Sequence, residues 1–335
     1  MQHEGEHLVA VGGKENPIRS LTGATLAGAP LAASRKAAPD LAPWFQWISA
    51  AAGEVAPDQT VHCGMLGDNP VIRILFGGTW TAQTADGAMT FEPGEGLALY
   101  FGPQTRYMPI SVAGSYRVIT LMLGAGAAPV LGLPEQTSML DRIVDFDGLT
   151  GAAPLAKSIP QERGYGDWLA ALEGELRRRL AREKPDPPDP TATAFARACL
   201  TRPDFRIGGF AAHRAISQRT LERTIKRNFG LTPKQVMRRA RALDTAARLL
   251  GVALPEEEAA LELRYYDQSH QSREVRRFFG FTPGELMRGA HPMLRLNIEL
   301  RQSRRLATLI EGGAEIGSES HRPWRDPAAE FDIEG

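Results

Sequence analysis

A sixteen-residue pattern recurs in this 335-residue chain, fifty positions on, and that repeat constrains the C-terminal third more than any other feature. Gln218 falls on Gln268, Arg223 on Arg273, Arg227 on Arg277, Phe229 on Phe279, Gly230 on Gly280, and Thr232-Pro233 on Thr282-Pro283. Both copies are punctuated alike. Ser217 and Asp267 stand just before them as N-caps, with side-chain oxygens suited to accept a backbone N–H that the helix leaves unpaired. Leu221, Ile225 and Phe229 share one helical face, and Gln271, Val275 and Phe279 hold those positions in the second copy. Gly230 and Gly280 supply left-handed stops. Thr-Pro then opens the next helix, with Gln235 and Glu285 three residues on completing capping boxes.

Short helical segments are predicted upstream of each copy, at 207–214 and 256–263. Two short helices joined by a tight turn form a helix-turn-helix unit, which presents its second helix to a DNA major groove. The cap and outward residues of those second helices are Ser217, Gln218, Arg219, Glu222, Arg223 and Lys226, then Gln268, Ser269, His270, Ser272, Arg273 and Arg276. Arg binds guanine bidentately, Gln binds adenine, and Lys or further Arg hold phosphates, so these twelve are the candidate DNA-binding residues. A helix over 233–250 connects the units and would set two recognition helices on one side of DNA, where successive major grooves lie about 34 Å apart. Charge agrees. Residues 195–310 carry 22 Lys and Arg against 11 Asp and Glu, a net of +11, while the rest of the chain is −11, so a neutral total hides two oppositely charged regions. The plainer alternative is that the basic helices are solvated faces of a bundle; repeat, doubled caps and charge together favour DNA.

Ahead of this region, runs at 71–76, 79–84, 97–101, 106–110 and 116–123 alternate or stay apolar between Gly and Pro punctuation, and read as strands. An amphipathic helix follows over 167–183, ending at the Pro-rich run 184–190. The expected organisation is a poorly ordered segment at 1–40, a β-rich sensor or dimerisation domain at 41–183, a linker at 184–194, a double helix-turn-helix domain at 195–310 and an acidic, poorly ordered tail at 311–335. The fold class is α+β, a cupin-like barrel or sandwich followed by an all-α domain. No run of eighteen apolar residues and no signal-like start occurs, so no membrane partner and a cytoplasmic location are expected. Cys63 and Cys199 lack metal or disulfide spacing and read as reduced structural residues.

The motifs resemble the AraC/XylS family of bacterial transcription regulators over about 195–289. The similarity rests on Ser217-Gln-Arg-Thr-Leu-Glu-Arg223 with Phe229-Gly-Leu-Thr-Pro233, and on Tyr265-Tyr-Asp-Gln-Ser-His270 with Arg276-Arg-Phe-Phe-Gly-Phe-Thr-Pro283. It implies a seven-helix DNA-binding domain in which Arg219, Glu222, Arg223, Gln268, Ser269, His270 and Arg273 face bases or phosphates, joined to a domain that senses an effector or dimerises. The partners it implies are promoter DNA, RNA polymerase, a small-molecule effector and a second copy of the chain. The segments 97–105, 118–126 and 131–134 are similar to the sensor domain of one branch of that family. Arg264 and Gln271 depart from it, standing where a turn Gly and a core apolar residue are usual. A buried amide needs hydrogen-bond partners, so the second unit is expected to be looser.

An enzyme is not expected. A cupin-type metal centre needs clustered His, yet His62 alone of the seven histidines lies in the strand-rich region, and on a strand His62 and Cys63 point to opposite faces. Neither a Gly-x-Ser-x-Gly elbow nor a phosphate-binding loop occurs. No cofactor or metal is expected. Polar and aromatic strand residues, Arg73, Trp80, Tyr100, Arg106, Tyr107 and Arg117, are the candidate effector contacts, with ordinary core and rim roles as the alternative. The competing reading of the whole chain is a non-catalytic ligand-binding or protein-interaction module whose basic helices bind nucleic acid weakly.

Overall fold

The computed structural model describes residues 31–53, 56, 60–161, 165–253, 268–289 and 291–313. Its N-terminal half is built on ten strands: β1 Leu31–Lys36, β2 Phe45–Gly53, β3 Thr60–Met65, β4 Val71–Phe76, β5 Thr79–Thr84, β6 Gly87–Phe91, β7 Leu97–Phe101, β8 Met108–Ala113, β9 Tyr116–Leu123 and β10 Ile143–Asp145. They form two antiparallel sheets, ordered β1-β2-β9-β4-β7-β10 and β3-β8-β5-β6. Neither sheet closes on itself, so the domain is a sandwich and not a barrel.

Burial explains the sequence pattern of each sheet. β5 and β8 of the small sheet alternate buried and open positions because one of its faces is covered. β4 and β7 of the large sheet are buried almost throughout because both of its faces are covered. On one face Ile48, Ile72, Ile74 and Leu121 lie under Trp168, Leu169, Leu172 and Leu176 of a helix at Tyr165–Glu183 (α3, after short turns α1 Ala127–Val130 and α2 Phe146–Thr150). On the other, Leu75, Leu99 and Val118 meet Trp80, Ile110 and Val112 of the small sheet.

The C-terminal half is helical: α4 Pro190–Thr201, α5 Ile207–His213, α6 Gln218–Phe229, α7 Pro233–Leu249, α8 Gln268–Phe279, α9 Pro283–Arg288 and α10 Pro292–Glu311. It has two cores. Phe195, Leu221, Ile225, Phe229, Val236 and Met237 fill the first; Leu243, Ala246, Val275, Phe279, Leu286 and Ile298 fill the second, and α7 contributes to both.

Several boundaries differ from the sequence expectation. β1 falls inside the segment expected to be poorly ordered, and pairs with β2 from Leu31↔Ala52 to Lys36↔Trp47. Its Ala-rich sequence, like the Ala50-Ala51-Ala52 run it faces, has little strand propensity of its own, so the pairing makes the strand. β2, β3 and β6 were likewise not legible as strands, and the run expected at 106–110 forms its strand at Met108–Ala113. Pro190 begins α4 instead of extending the linker: Asp189 caps it, accepting from Thr191 N at 2.8 Å and Ala192 N at 3.2 Å, and Pro at the first helical position has no N–H to leave unsatisfied. Glu311 ends α10 and is not part of a tail, its carboxylate 2.9 Å from Lys36 Nζ. The helix expected at 256–263 and the Asp267 cap lie outside the described residues. No helix among those described is long and apolar enough to cross a membrane.

The two halves interlock. Leu66 of the β half enters the second helical core, and Met293 and Leu296 of α10 enter the sandwich core. Around them Arg301 Nε donates to Asp68 Oδ2 at 2.8 Å and its Nη1 to Asp244 Oδ1 at 2.5 Å; Arg305 donates to Leu200 O at 2.7 Å and lies 3.4 Å from Asp244. Arg239 donates to Gln104 O at 2.7 Å and to Asp68 O. Burial alone would raise the Asp68 pKa, but Arg301, Arg304 and Arg239 outweigh it and hold the carboxyl below its ordinary value. A carboxylate whose pKa is lower folded than unfolded contributes stability above the unfolded value and loses it as pH falls through the folded one. Melting temperature should therefore drop more steeply below pH 4 in the wild type than in Asp68→Asn, followed by circular dichroism. Asp244→Ala, which leaves Arg301 and Arg305 with one carboxylate fewer, should cost about 3–5 kcal/mol in urea unfolding.

Candidate nucleic-acid interface

Ser217 has extended backbone angles, φ −72° and ψ 154°, and its Oγ accepts from Thr220 N at 3.0 Å, so α6 starts where the sequence places it. Leu221, Ile225 and Phe229 are buried, which turns Gln218, Arg219, Glu222, Arg223 and Lys226 outward, and all five are exposed. The turn from α5 is tight: Ile216 N donates to Ala211 O at 3.1 Å, and Ala215 sits at φ 53°. A Cβ on Gly208 would lie 2.6 Å from Gln218 Nε2, so this glycine lets the start of α5 approach the amide of the recognition helix. Gly230 closes α6 at φ 68°, its N–H bonded to Lys226 O.

The second unit repeats this plan with a different anchor. Val275 and Phe279 are buried, and Ser269, His270, Arg273 and Arg276 are exposed. Ser272 is half-buried, and the side chain of Gln268 lies outside the described residues. Gln271, at the position Leu221 holds in the first copy, is only half-buried, so its amide is not enclosed as Leu221 is. Glu274 supplies an anchor instead, its carboxylate 2.5 Å from Arg238 Nη2 on α7. Periodicity did not reveal Glu274, because a carboxylate on the inward face reads as a break in an apolar stripe. Both following helices carry full capping boxes, Thr232 with Gln235 and Thr282 with Glu285.

Burial also divides the positive charge. Arg239, Arg301, Arg304 and Arg305 are buried at the junction of the halves, and Arg227 pairs with Asp189 at 3.2 Å. The regional excess of +11 thus overstates what faces solvent. Arg219, Arg223 and Lys226 on α6, with Arg273, Arg276 and Arg277 on α8, form the cationic surface of the recognition helices. α7, between the two units, has seventeen residues and is about 25 Å long at 1.5 Å per residue.

The six candidate effector contacts do not converge. Arg73 is buried, its guanidinium 4.9 Å over the Phe101 ring, and lines a cavity of about 70 Å³ between the large sheet and α10. Tyr100 faces the opposite side of that sheet and donates to Gln136 Oε1 at 2.7 Å; burial raises its pKa. Trp80 donates to Gly77 O at 3.0 Å inside the sandwich. Arg117 donates to Gln161 between the Phe76 and Trp168 rings, Tyr107 meets Phe281 of the second helical unit edge-on at 5.5 Å, and Arg106 is exposed. The cavity's other polar groups escaped sequence reasoning. Arg304 donates to Met122 Sδ and lies 3.4 Å from Asp68, and burial, with Arg301 beside it, outweighs Asp68 and pulls its pKa down to about 10. Ser34 Oγ, fully enclosed, has no hydrogen-bond partner among the described residues. A wider cleft of about 450 Å³ shares Trp47, Asp68, Asn69 and Arg304 with this cavity. The Arg301, Arg304 and Arg305 spacing on one helix was the available signal, since an Arg stripe at 3–4 residue intervals marks a single face.

Residues 210–289 match the family described as a helix-turn-helix domain. No curated protein matches the chain. Among solved structures, ToxT from Vibrio cholerae is 10% identical, with a TM-score of 0.41, over 73% of this chain and 100% of that one. The AraC-like transcriptional activator CuxR is 13% identical, with a TM-score of 0.28, over 58% and 76%. The C-terminal domain of AraT, a response regulator from Geobacillus stearothermophilus, is 22% identical, with a TM-score of 0.26, over 30% and 85%.

The two stop glycines separate local from tertiary constraint. A Cβ at Gly280 meets nothing within 4 Å among the described residues, whereas one at Gly230 would lie 2.5 Å from Gln136 O of the β half. Gly280→Ala should cost about 1 kcal/mol, the left-handed penalty alone. Gly230→Ala should cost more than that and loosen the contact between the halves, read as a lower urea midpoint and faster amide exchange near Gln136.

Proposed function

We infer that this chain is a DNA-binding transcription regulator of the AraC type, in keeping with the helix-turn-helix match over residues 210–289, and that it reads its site with α6 and α8 in two successive major grooves on one face of the duplex. The observation that carries this is the repeated display of exposed Arg and polar side chains on two helices whose opposite faces pack around a single connector, α7. Arg219, Glu222 and Arg223 in the first unit, and Ser269, His270 and Arg273 in the second, meet base edges in this reading, which their exposure supports. Ser217, Gln218 and Lys226 at the first helix, and Gln268, Ser272 and Arg276 at the second, serve nearby bases and phosphates. The Arg238–Glu274 pair holds α8 against the connector in place of the missing apolar contact at Gln271, which supports reading by the second unit as well as the first.

Regulation acts through the junction. The cavity under α10 and the cleft beside it are walled by both halves, so an effector seated there would bear on the helix that fixes the β domain to the recognition units. Arg304, with a thioether and one distant carboxylate as its acceptors, suits an effector bearing an acceptor or anionic group.

Selection of bound sequences from a random DNA pool by the full-length protein tests the reading. A bipartite motif with half-sites about one helical turn apart is expected. Arg223→Ala and Arg273→Ala should each cost about 1–3 kcal/mol and relax preference at one position, in different half-sites. A motif confined to one half-site, or salt-labile binding with no motif, would overturn it.

A further inference from the structure

The outer surface of the first helical unit carries a groove of about 600 Å³ that the reading above does not use. Positions 194, 197, 198 and 201 of α4, and 206, 209, 210 and 213 from the N-cap of α5 to its end, face it, each set at the i, i+3, i+4, i+7 spacing of one helical face. The floor is small or apolar: Ala194, Ala198 and Gly209, with the half-buried rings of Phe205 and Phe210. Arg197, Arg202, Arg206 and His213 form an exposed rim. Among the described residues no carboxylate pairs with Arg197, Arg202 or Arg206. An apolar recess edged by unneutralised cations fits an acidic peptide with hydrophobic anchors.

The chain itself holds such a segment beyond a helix that ends at the groove. Arg197 Nη2 donates to Thr308 O at 3.3 Å, and a Cβ on Gly312 would lie 3.4 Å from the same nitrogen, so α10 ends against the rim. Beyond it, residues 326–335 contain Asp326, Glu330, Asp332 and Glu334 and no Lys or Arg, with Phe331 and Ile333 alternating between the last three acids. In an extended segment this alternation sets both apolar side chains on one side and the three carboxylates on the other. Seventeen residues lie between Gly313 and Phe331, a reach of up to about 60 Å.

We propose that residues 326–335 dock in the α4–α5 groove of their own chain, with Phe331 and Ile333 over the Ala194, Ala198 and Gly209 floor and the carboxylates against Arg197, Arg202 and Arg206. A tethered ligand is present at an effective concentration of the order of millimolar, so even weak docking is populated, and any other occupant of the groove must displace it.

Chymotryptic cleavage after Phe331 in the intact chain, timed by mass spectrometry at low salt and normalised to free peptides of the same sequence, tests this. Wild type should be cut at least tenfold more slowly than the Arg202→Glu, Arg206→Glu double variant. Protection should return when Glu330, Asp332 and Glu334 are also replaced by Lys in that background. A circular-dichroism melt checks that these surface substitutions leave the fold intact. Equal normalised rates in all three chains overturn the proposal. So does an unchanged cleavage rate combined with weaker DNA binding in the double variant, which would assign the rim to phosphates.

Discussion

Asp68 from the β half and Asp244 from α7 face Arg239, Arg301, Arg304 and Arg305 in the interior, and the relation between the two halves depends on this cluster. Among the described residues four guanidinium groups face two carboxylates there, in a buried site where charges are costly unless paired and hydrogen-bonded. Backbone carbonyls of Gln104, Asp68 and Leu200 make up part of the difference. Since these carbonyls come from loops and helix ends of both halves, the cluster fixes position as well as distance. Around it, Leu66 and the pair Met293 and Leu296 cross in opposite directions into each other's cores. The sandwich consequently has no complete interior of its own: α10 covers the part of the large sheet that the small sheet leaves open.

The recognition units were legible in the sequence because their signals are local. Ser217, Gly230, Thr232 and Thr282 act on backbone groups within four residues, and a cap or a left-handed stop needs nothing from the rest of the chain. The sandwich was half legible. β4, β5, β7 and β9 are carried by β-branched and apolar residues, but β1 and the Ala-rich part of β2 exist through their partners. The junction was not legible. Arg301, Arg304 and Arg305 counted as part of a DNA-facing charge excess because composition cannot separate a buried guanidinium from an exposed one, and Asp68, some 230 residues away from Arg301, gives no hint in its own neighbourhood.

The repeat also shows how far two copies of one plan can drift. The first unit buries Leu221 where the second has half-buried Gln271, and the second uses the Arg238–Glu274 pair where the first has Thr224 at the equivalent position. Apolar burial has been traded for an ion pair at the connector. The two units also touch the β half differently: Gly230 abuts the Gln136 carbonyl, while the Phe278 carbonyl accepts from Tyr107 N at 2.6 Å. Each recognition helix thus ends on a different part of the sandwich.

Because α7 lies in both helical cores, it behaves as a rigid shaft with a unit fixed near each end. One residue added to or removed from such a shaft advances it by 1.5 Å but turns it by about 100°. Change in its length is therefore mainly a change in phase, and would swing the exposed face of one unit away from that of the other while leaving both units folded. The seventeen residues from Pro233 to Leu249 encode an angle between two surfaces, and only changes of length that bring that angle back into register keep both surfaces facing the same way.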